Sequence, residues 1–100
     1  MKKLQEKVDT LIKEFGGYWE PFTMLAAVIE ELGELSNEIL KLEGIKTSKE
    51  SPKVEEELGD VLFALFCIAN YYNIDVEKAL NKTILKYSSR DKERWNSSTP

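Results

Sequence analysis

Two short stretches of this chain concentrate acid in an unusual setting: IEELGEL, residues 29–35, and EEELGDVLF, residues 55–63. Each sets a pair of carboxylates three residues apart beside leucines and a glycine. Glu31 and Glu34 form the first pair, and Glu57 and Asp60 the second. A three-residue step puts both members of a pair on one face of a helix. Four such groups brought together repel one another, and partial burial adds to the cost, so convergence calls for protons or a cation. An all-oxygen set without imidazole or thiolate suits a hard divalent ion, Mg²⁺ or Mn²⁺, better than zinc or copper.

The rest of the composition removes competing chemistries. There is no histidine and one cysteine, Cys67. Disulfide scaffolds, Cys/His zinc sites, Ser-His-Asp triads and the Glu-x-x-His ligands of di-iron bundles are therefore excluded within the chain. Cys67 lies in the apolar run VLFALFCIA and reads as a small buried hydrophobe.

Four helices can position the acids, and no strand pattern competes. The first covers about residues 1–15, with Leu4, Val8, Leu11 and Phe15 at helical spacing, and Gly16-Gly17 stops it. Pro21 opens a second that reaches about Glu43, where Gly44 ends it. Ser51-Pro52 reads as N-cap and first turn of a third, to about Tyr71, and Asp75 caps a fourth that runs to about Trp95. Residues 96–100 are expected to fray. One hundred residues make one all-α domain, an antiparallel bundle of about four helices.

Leu25, Val28, Leu32, Leu35, Ile39 and Leu42 on the second helix, and Val54, Leu58, Val61, Leu65, Ile68 and Tyr72 on the third, alternate three and four residues apart and predict the packing seams. The acid stripes, with Met24 and Ala27 on the second helix and Lys53, Ala64 and Cys67 on the third, then flank those seams. Glu38, Glu43, Glu55 and Glu56 read as surface charge. The third helix is apolar nearly all round and needs more cover than this chain supplies, which predicts a homo-oligomer.

The net charge is −4, unevenly spread: residues 30–60 hold ten acids against four lysines, and residues 76–100 hold six basic residues against three acids. This argues against a nucleic-acid polymer as partner and for a metal together with a polyanion. Lys78, Lys82, Lys86, Arg90 and Arg94 recur every four residues as a cationic stripe on the fourth helix. No apolar run approaches the roughly 20 residues of a membrane span, and the first helix lacks the features of a signal peptide, so a cytoplasmic location is expected.

From about Phe22 to Arg90 the sequence resembles MazG-like nucleotide pyrophosphohydrolases of the all-α NTP pyrophosphatase superfamily. The likeness rests on E-E-x-x-E at residues 30–34, E-x-x-D at residues 57–60 and K-Y-x-x-R at residues 86–90. It implies Mg²⁺-dependent hydrolysis of a nucleoside or deoxynucleoside triphosphate to monophosphate and pyrophosphate, by dimers or tetramers. On the matching positions it implies Glu31, Glu34, Glu57 and Asp60 as metal ligands and a catalytic role for Glu30 and Glu31, with Glu30 an auxiliary ligand or a guide for the attacking water. It also implies Lys53, Lys86 and Arg90 on the phosphates; Tyr18, Trp19 and Phe22, before the second helix, are candidates to stack on the base. Ala27 and Ile84 stand where family members often carry Lys and Asn. Those departures leave open a non-catalytic nucleotide-sensing or oligomerisation module, beside phosphoribosyl-ATP pyrophosphohydrolase as a neighbouring activity.

Overall fold

The computed structural model describes residues 1–98, with side chains through Arg90. It contains four helices and, among the described residues, no strand: α1 (Lys2–Glu14), α2 (Pro21–Leu42), α3 (Val54–Tyr71) and α4 (Val76–Ser98). Gly16 and Gly17 adopt φ of 105° and 101°, a left-handed conformation that breaks α1 sharply. Glu20 caps α2 by accepting from the Thr23 N–H at 2.6 Å, and Pro21 follows it in the first turn. Gly44, at φ 73°, turns the chain out of α2. Asp75 accepts from the Lys78 N–H at 3.0 Å and caps α4 as the sequence predicts.

Two boundaries differ from expectation. Helix α3 begins at Val54, with Lys53 as N-cap and no side-chain cap of its own, so Ser51 and Pro52 precede the helix. Its first-turn acceptor comes from α2 instead, where Glu38 takes the Lys53 N–H at 2.9 Å. At the other end α4 continues through residues 96–98, which the sequence reading assigns to a frayed tail; residues 99–100 and the side chain of Arg94 lie outside the described residues.

α2 and α3 form an antiparallel hairpin with the most extensive pairing in the molecule; α1 packs on α3, and α4 touches chiefly α1. The chain therefore does not close a four-helix bundle on itself. Its radius of gyration is 17.4 Å, against about 13 Å for a compact domain of this length.

The seam also differs. The residues of α2 that turn toward α3 are Met24, Val28, Glu31, Leu35 and Glu38, all buried or half-buried, whereas Leu25, Leu32, Ile39 and Leu42 are exposed. On α3, Val54, Glu57, Val61, Ala64 and Ile68 turn inward while Leu58, Leu65 and Tyr72 face out. Of the predicted seam, Val28, Leu35, Val54, Val61 and Ile68 thus lie inside the hairpin, joined there by Glu31, Glu38 and Glu57, while the other seam residues form its outer face. Glu38, read as surface charge, is a buried member of that interior at 8% exposure. Glu43, Glu55 and Glu56 are exposed as expected.

Gln5 ties three helices together. Its Nε2 donates to Asn70 Oδ1 at 3.0 Å and to the Ile74 carbonyl at 2.8 Å, and its Oε1 accepts from the Val76 N–H at 2.9 Å. Asn70 Nδ2 in turn donates to the Gln5 carbonyl at 2.9 Å. α1 has no fully buried residue, so this knot carries much of its attachment. Gln5→Ala should lower unfolding stability by about 2 kcal/mol in urea titration, since partly buried hydrogen bonds contribute about 1 kcal/mol each and Val76 loses an N–H acceptor.

Candidate active site

The hairpin meets in a fixed register. Lys53, Glu57, Asp60, Ala64 and Cys67 on α3 stand opposite Glu38, Glu34, Glu31, Ala27 and Met24 on α2, in matching steps of four, three, four and three residues. The middle rungs bring the acids together. One carboxylate oxygen from each of Glu31, Glu57 and Asp60 lies within 4.8 Å of the others. Glu34 lies close enough to both Glu31 and Glu57 for its charge to act on each.

Glu31 Oε2 and Glu57 Oε2 are buried and meet no hydrogen-bond donor. Buried polar atoms are normally satisfied, so two orphaned oxygens side by side mark a place where a positive partner fits. The cost is visible in their acidity. Burial, then the charges of Glu34 and Asp60, pushes the Glu31 carboxyl above its ordinary range. Burial and then Glu34 do the same to Glu57. An all-carboxylate donor set of this kind fits a hard divalent cation.

Past the acids, the small pair Ala27 and Ala64 leaves space. A cavity of about 300 Å³ opens there, lined by Ile12, Gly17, Tyr18, Trp19, Met24, Ala27, Phe63, Ala64 and Cys67, with Glu31 and Asp60 at its acidic end. The volume and apolar walls suit a flat aromatic ring. Tyr18 is anchored by donating to Asp9 Oδ1 at 2.6 Å, and Asp9 also pairs with Lys13 at 2.9 Å. Burial and the bond to Asp9 push the Tyr18 hydroxyl up to about 12, while that bond and Lys13 hold Asp9 low. The anchor fixes the 15–20 connection and with it Trp19 at the cavity wall. Burial raises the Cys67 thiol, leaving it a neutral lining group.

The remaining predicted residues lie elsewhere. Glu30 is exposed and stands outside the gathered oxygens, and Phe22 is 80% exposed and does not line the cavity. Lys53 is exposed at the mouth of the hairpin, one turn before Glu57. Lys86 and Arg90 sit on α4 against the Tyr87 ring, at 4.9 and 5.3 Å from its centre, and neither borders the cavity. Tyr18 and Trp19, both read from the sequence as candidates to stack on the base, line the cavity, whereas Ile12 and Phe63 are lining residues that sequence reasoning missed. On two separate helices, each looks like ordinary core.

The fold and this site together define an all-α hydrolase. The chain belongs to the family of the MazG nucleotide pyrophosphohydrolase domain, whose profile matches residues 20–95. It is 43% identical over 99 residues to the YpjD protein of Bacillus subtilis (strain 168), covering 95% of this chain and 89% of that one. To the nucleoside triphosphate pyrophosphohydrolase/pyrophosphatase MazG of Thermotoga maritima it is 36% identical over 53 residues, 53% of this chain but 21% of that longer protein. The crystal structure of Bacillus subtilis YpjD superposes with a TM-score of 0.81 at 43% identity, over 90% of this chain and 94% of that one. The crystal structure of the Bacillus-conserved MazG protein, a nucleotide pyrophosphohydrolase, gives 0.77 at 43% identity, over 92% of each chain. Among the described residues no helix is long and apolar enough to cross a membrane.

Proposed function

We propose that this chain hydrolyses a nucleoside or deoxynucleoside triphosphate at the bond between the α- and β-phosphates, releasing the monophosphate and pyrophosphate. The observation that carries this reading is the pair of donorless buried oxygens on Glu31 and Glu57, with Glu31 also lining the acidic end of an apolar cavity sized for a base. Glu31, Glu34, Glu57 and Asp60 would hold Mg²⁺, with Mn²⁺ as a substitute. Bound there, the ion supplies Lewis-acid stabilisation of charge on the phosphate oxygens.

The chain's own groups do the rest. The cavity holds the base, with Trp19, Tyr18 and Phe63 as walls, and points the phosphate chain at the acids. Water attacks the α-phosphorus, its proton passes to a carboxylate, Glu30 or Glu31, and the bond to the bridging oxygen breaks. Lys53 neutralises the leaving pyrophosphate. Lys86 and Arg90 join it where assembly carries α4 across a site, because within one chain α4 packs on α1.

Self-association belongs to the same reading. Phe22, Leu25, Ile29 and Leu32 on α2 continue into Leu58, Leu62 and Leu65 on α3 as one exposed apolar face. A second hairpin laid on it completes a four-helix bundle, as a homodimer or a dimer of dimers.

A panel of common and deoxynucleoside triphosphates, with phosphoribosyl-ATP included, tests the activity. Pyrophosphate should appear from at least one substrate with Mg²⁺ or Mn²⁺ and vanish with EDTA. Silence across the whole panel with both metals would overturn the reading.

A further inference from the structure

Glu38 is the buried charged residue that this chemistry leaves unused. Both of its oxygens are engaged. Oε2 accepts from Lys41 Nζ at 2.8 Å, and Oε1 accepts from the Lys53 backbone N–H at 2.9 Å. The second bond crosses the hairpin to the N-terminus of α3, which lacks a side-chain cap of its own. It satisfies one of the free N–H groups there and sets negative charge at the positive end of the helix.

Along the hairpin ladder this rung has no equal. At the next two rungs, Glu34 faces Glu57 and Glu31 faces Asp60, and like charges push the helices apart there. Ala27 and Ala64 are too small to lock one helix against the other, and the apolar contacts inside, Val28, Leu35, Val61 and Ile68 among them, hold the helices together without a directional bond. Glu38 and Lys53 make the attractive polar contact at the end of the ladder, one turn from the acids. A helix rises about 1.5 Å per residue, whereas ligand distances around a cation hold to about 0.2 Å, so a small slip of α3 would scatter the four oxygens.

We propose that Glu38 is a positioning residue: by holding the start of α3 it sets the register that brings Glu57 and Asp60 opposite Glu34 and Glu31. This rests on the reading that those four carboxylates hold a divalent cation. Two substitutions separate reach from charge. Glu38→Asp keeps the charge but shortens the side chain by one methylene, and Glu38→Gln keeps an oxygen at the same reach but loses the charge.

The experiment is Mn²⁺ binding to the nucleotide-free full chain, followed by electron paramagnetic resonance, with helicity and melting recorded by circular dichroism. Glu38→Asp should remain helical and bind Mn²⁺ about tenfold or more weakly, the loss seen when a supporting partner of a ligand is removed. Glu38→Gln should stay within about threefold of the unmodified chain, since its amide oxygen still accepts from the Lys53 N–H. Wild-type affinity in Glu38→Asp would overturn the proposal. So would a larger loss in Glu38→Gln than in Glu38→Asp, which would make the charge the cause, or collapse of the helical fold in Glu38→Asp, which would make Glu38 a residue of general stability. Failure of the unmodified chain to bind Mn²⁺ is a separate result, and it would remove the metal reading itself along with this proposal.

Discussion

Glu57→Gln should reduce pyrophosphate release by at least about 100-fold and at the same time raise the melting temperature of the metal-free chain at neutral pH. Removal of an outer partner of a metal ligand already costs roughly 10- to 100-fold, so loss of a ligand sets a floor at the upper end of that range. The stability gain follows from what the side chain does without a cation. Glu57 Oε2 is buried without a donor, and burial together with Glu34, Asp60 and Glu31 raises its affinity for a proton. Glutamine has nearly the same shape, carries no charge and brings an N–H₂ that its carboxylate neighbours accept. The sign with pH is fixed by the direction of the shift. A carboxyl whose folded value lies above its ordinary 4.5 destabilises nothing at lower pH, where it is protonated folded and unfolded, and weakens the fold as pH rises through the folded value. The advantage of Glu57→Gln in EDTA should therefore be present at pH 7.5 and fade toward pH 4. Millimolar Mg²⁺ should lift the melting temperature of the unmodified chain and leave that of the variant nearly unchanged. Melting curves at the two pH values, with EDTA and with Mg²⁺, check all three points. A variant that melts lower than the unmodified chain in EDTA at pH 7.5 would contradict the account of the buried carboxylates.

The helices and the acid pairs were legible in sequence for local reasons. Gly16-Gly17, Pro21, Gly44 and Asp75 punctuate the chain through backbone constraints that act within a few residues, and an i, i+3 carboxylate pair on a helix fixes its own face. What a partner does was not legible. Helix α2 carries two stripes that share Val28 and Leu35 and each qualify as a packing face: one adds Leu25, Leu32, Ile39 and Leu42, the other Met24, Glu31 and Glu38. Hydrophobicity favours the first as the intrachain seam, yet the hairpin encloses the second and leaves Leu25, Leu32 and Ile39 outside. The acids on that second stripe are the ones proposed above to hold the cation between the helices. Glu38 shows the same limit, since a glutamate four residues past an acidic cluster is ordinary surface by every local measure. Only the approach of the Lys53 N–H, contributed by the next helix, makes it interior. The start of α3 differs from the sequence reading for the same reason: Ser51-Pro52 is a sound local cap signal, but the tertiary acceptor from Glu38 supplies the cap two residues later, at Lys53. The cavity walls come from α1, the 15–20 connection, α2 and α3, so no linear pattern announces them.

Leu65→Asp should split the assembly and, with it, most of the stability of the hairpin. Leu65 is 43% exposed on the outer face of α3, in line with Leu58 and Leu62 and continuous with Leu25 and Ile29 on α2, which are 50% and 63% exposed. Its side chain points away from α2, where Ala64 and Cys67 line the cavity, so the substitution leaves the acid cluster and the cavity walls in place. Exposed apolar side chains in one patch are costly for a chain this small, whose helices α1 and α4 bring little core of their own. A second hairpin of the same spacing, as proposed above, would cover the patch by placing leucines against leucines. A carboxylate at its centre would then be buried twice over by the two-fold relation between copies, once on each subunit. Burial of an unpaired charge costs several kcal/mol, enough to abolish association at micromolar concentration. Sedimentation equilibrium should return a single-chain mass for Leu65→Asp and a multiple of it for the unmodified protein, and the melting temperature of the unmodified chain should rise with protein concentration while that of the variant does not. If the unmodified chain sediments as one copy at all concentrations, the outer leucine face has no second hairpin to meet. Coupling to function follows from α4. Lys86 and Arg90 border no part of their own chain's cavity, so a dissociated variant that keeps full pyrophosphate release would take those cations out of the reaction, whereas a large rise in KM on dissociation would tie them to the phosphate chain across the interface.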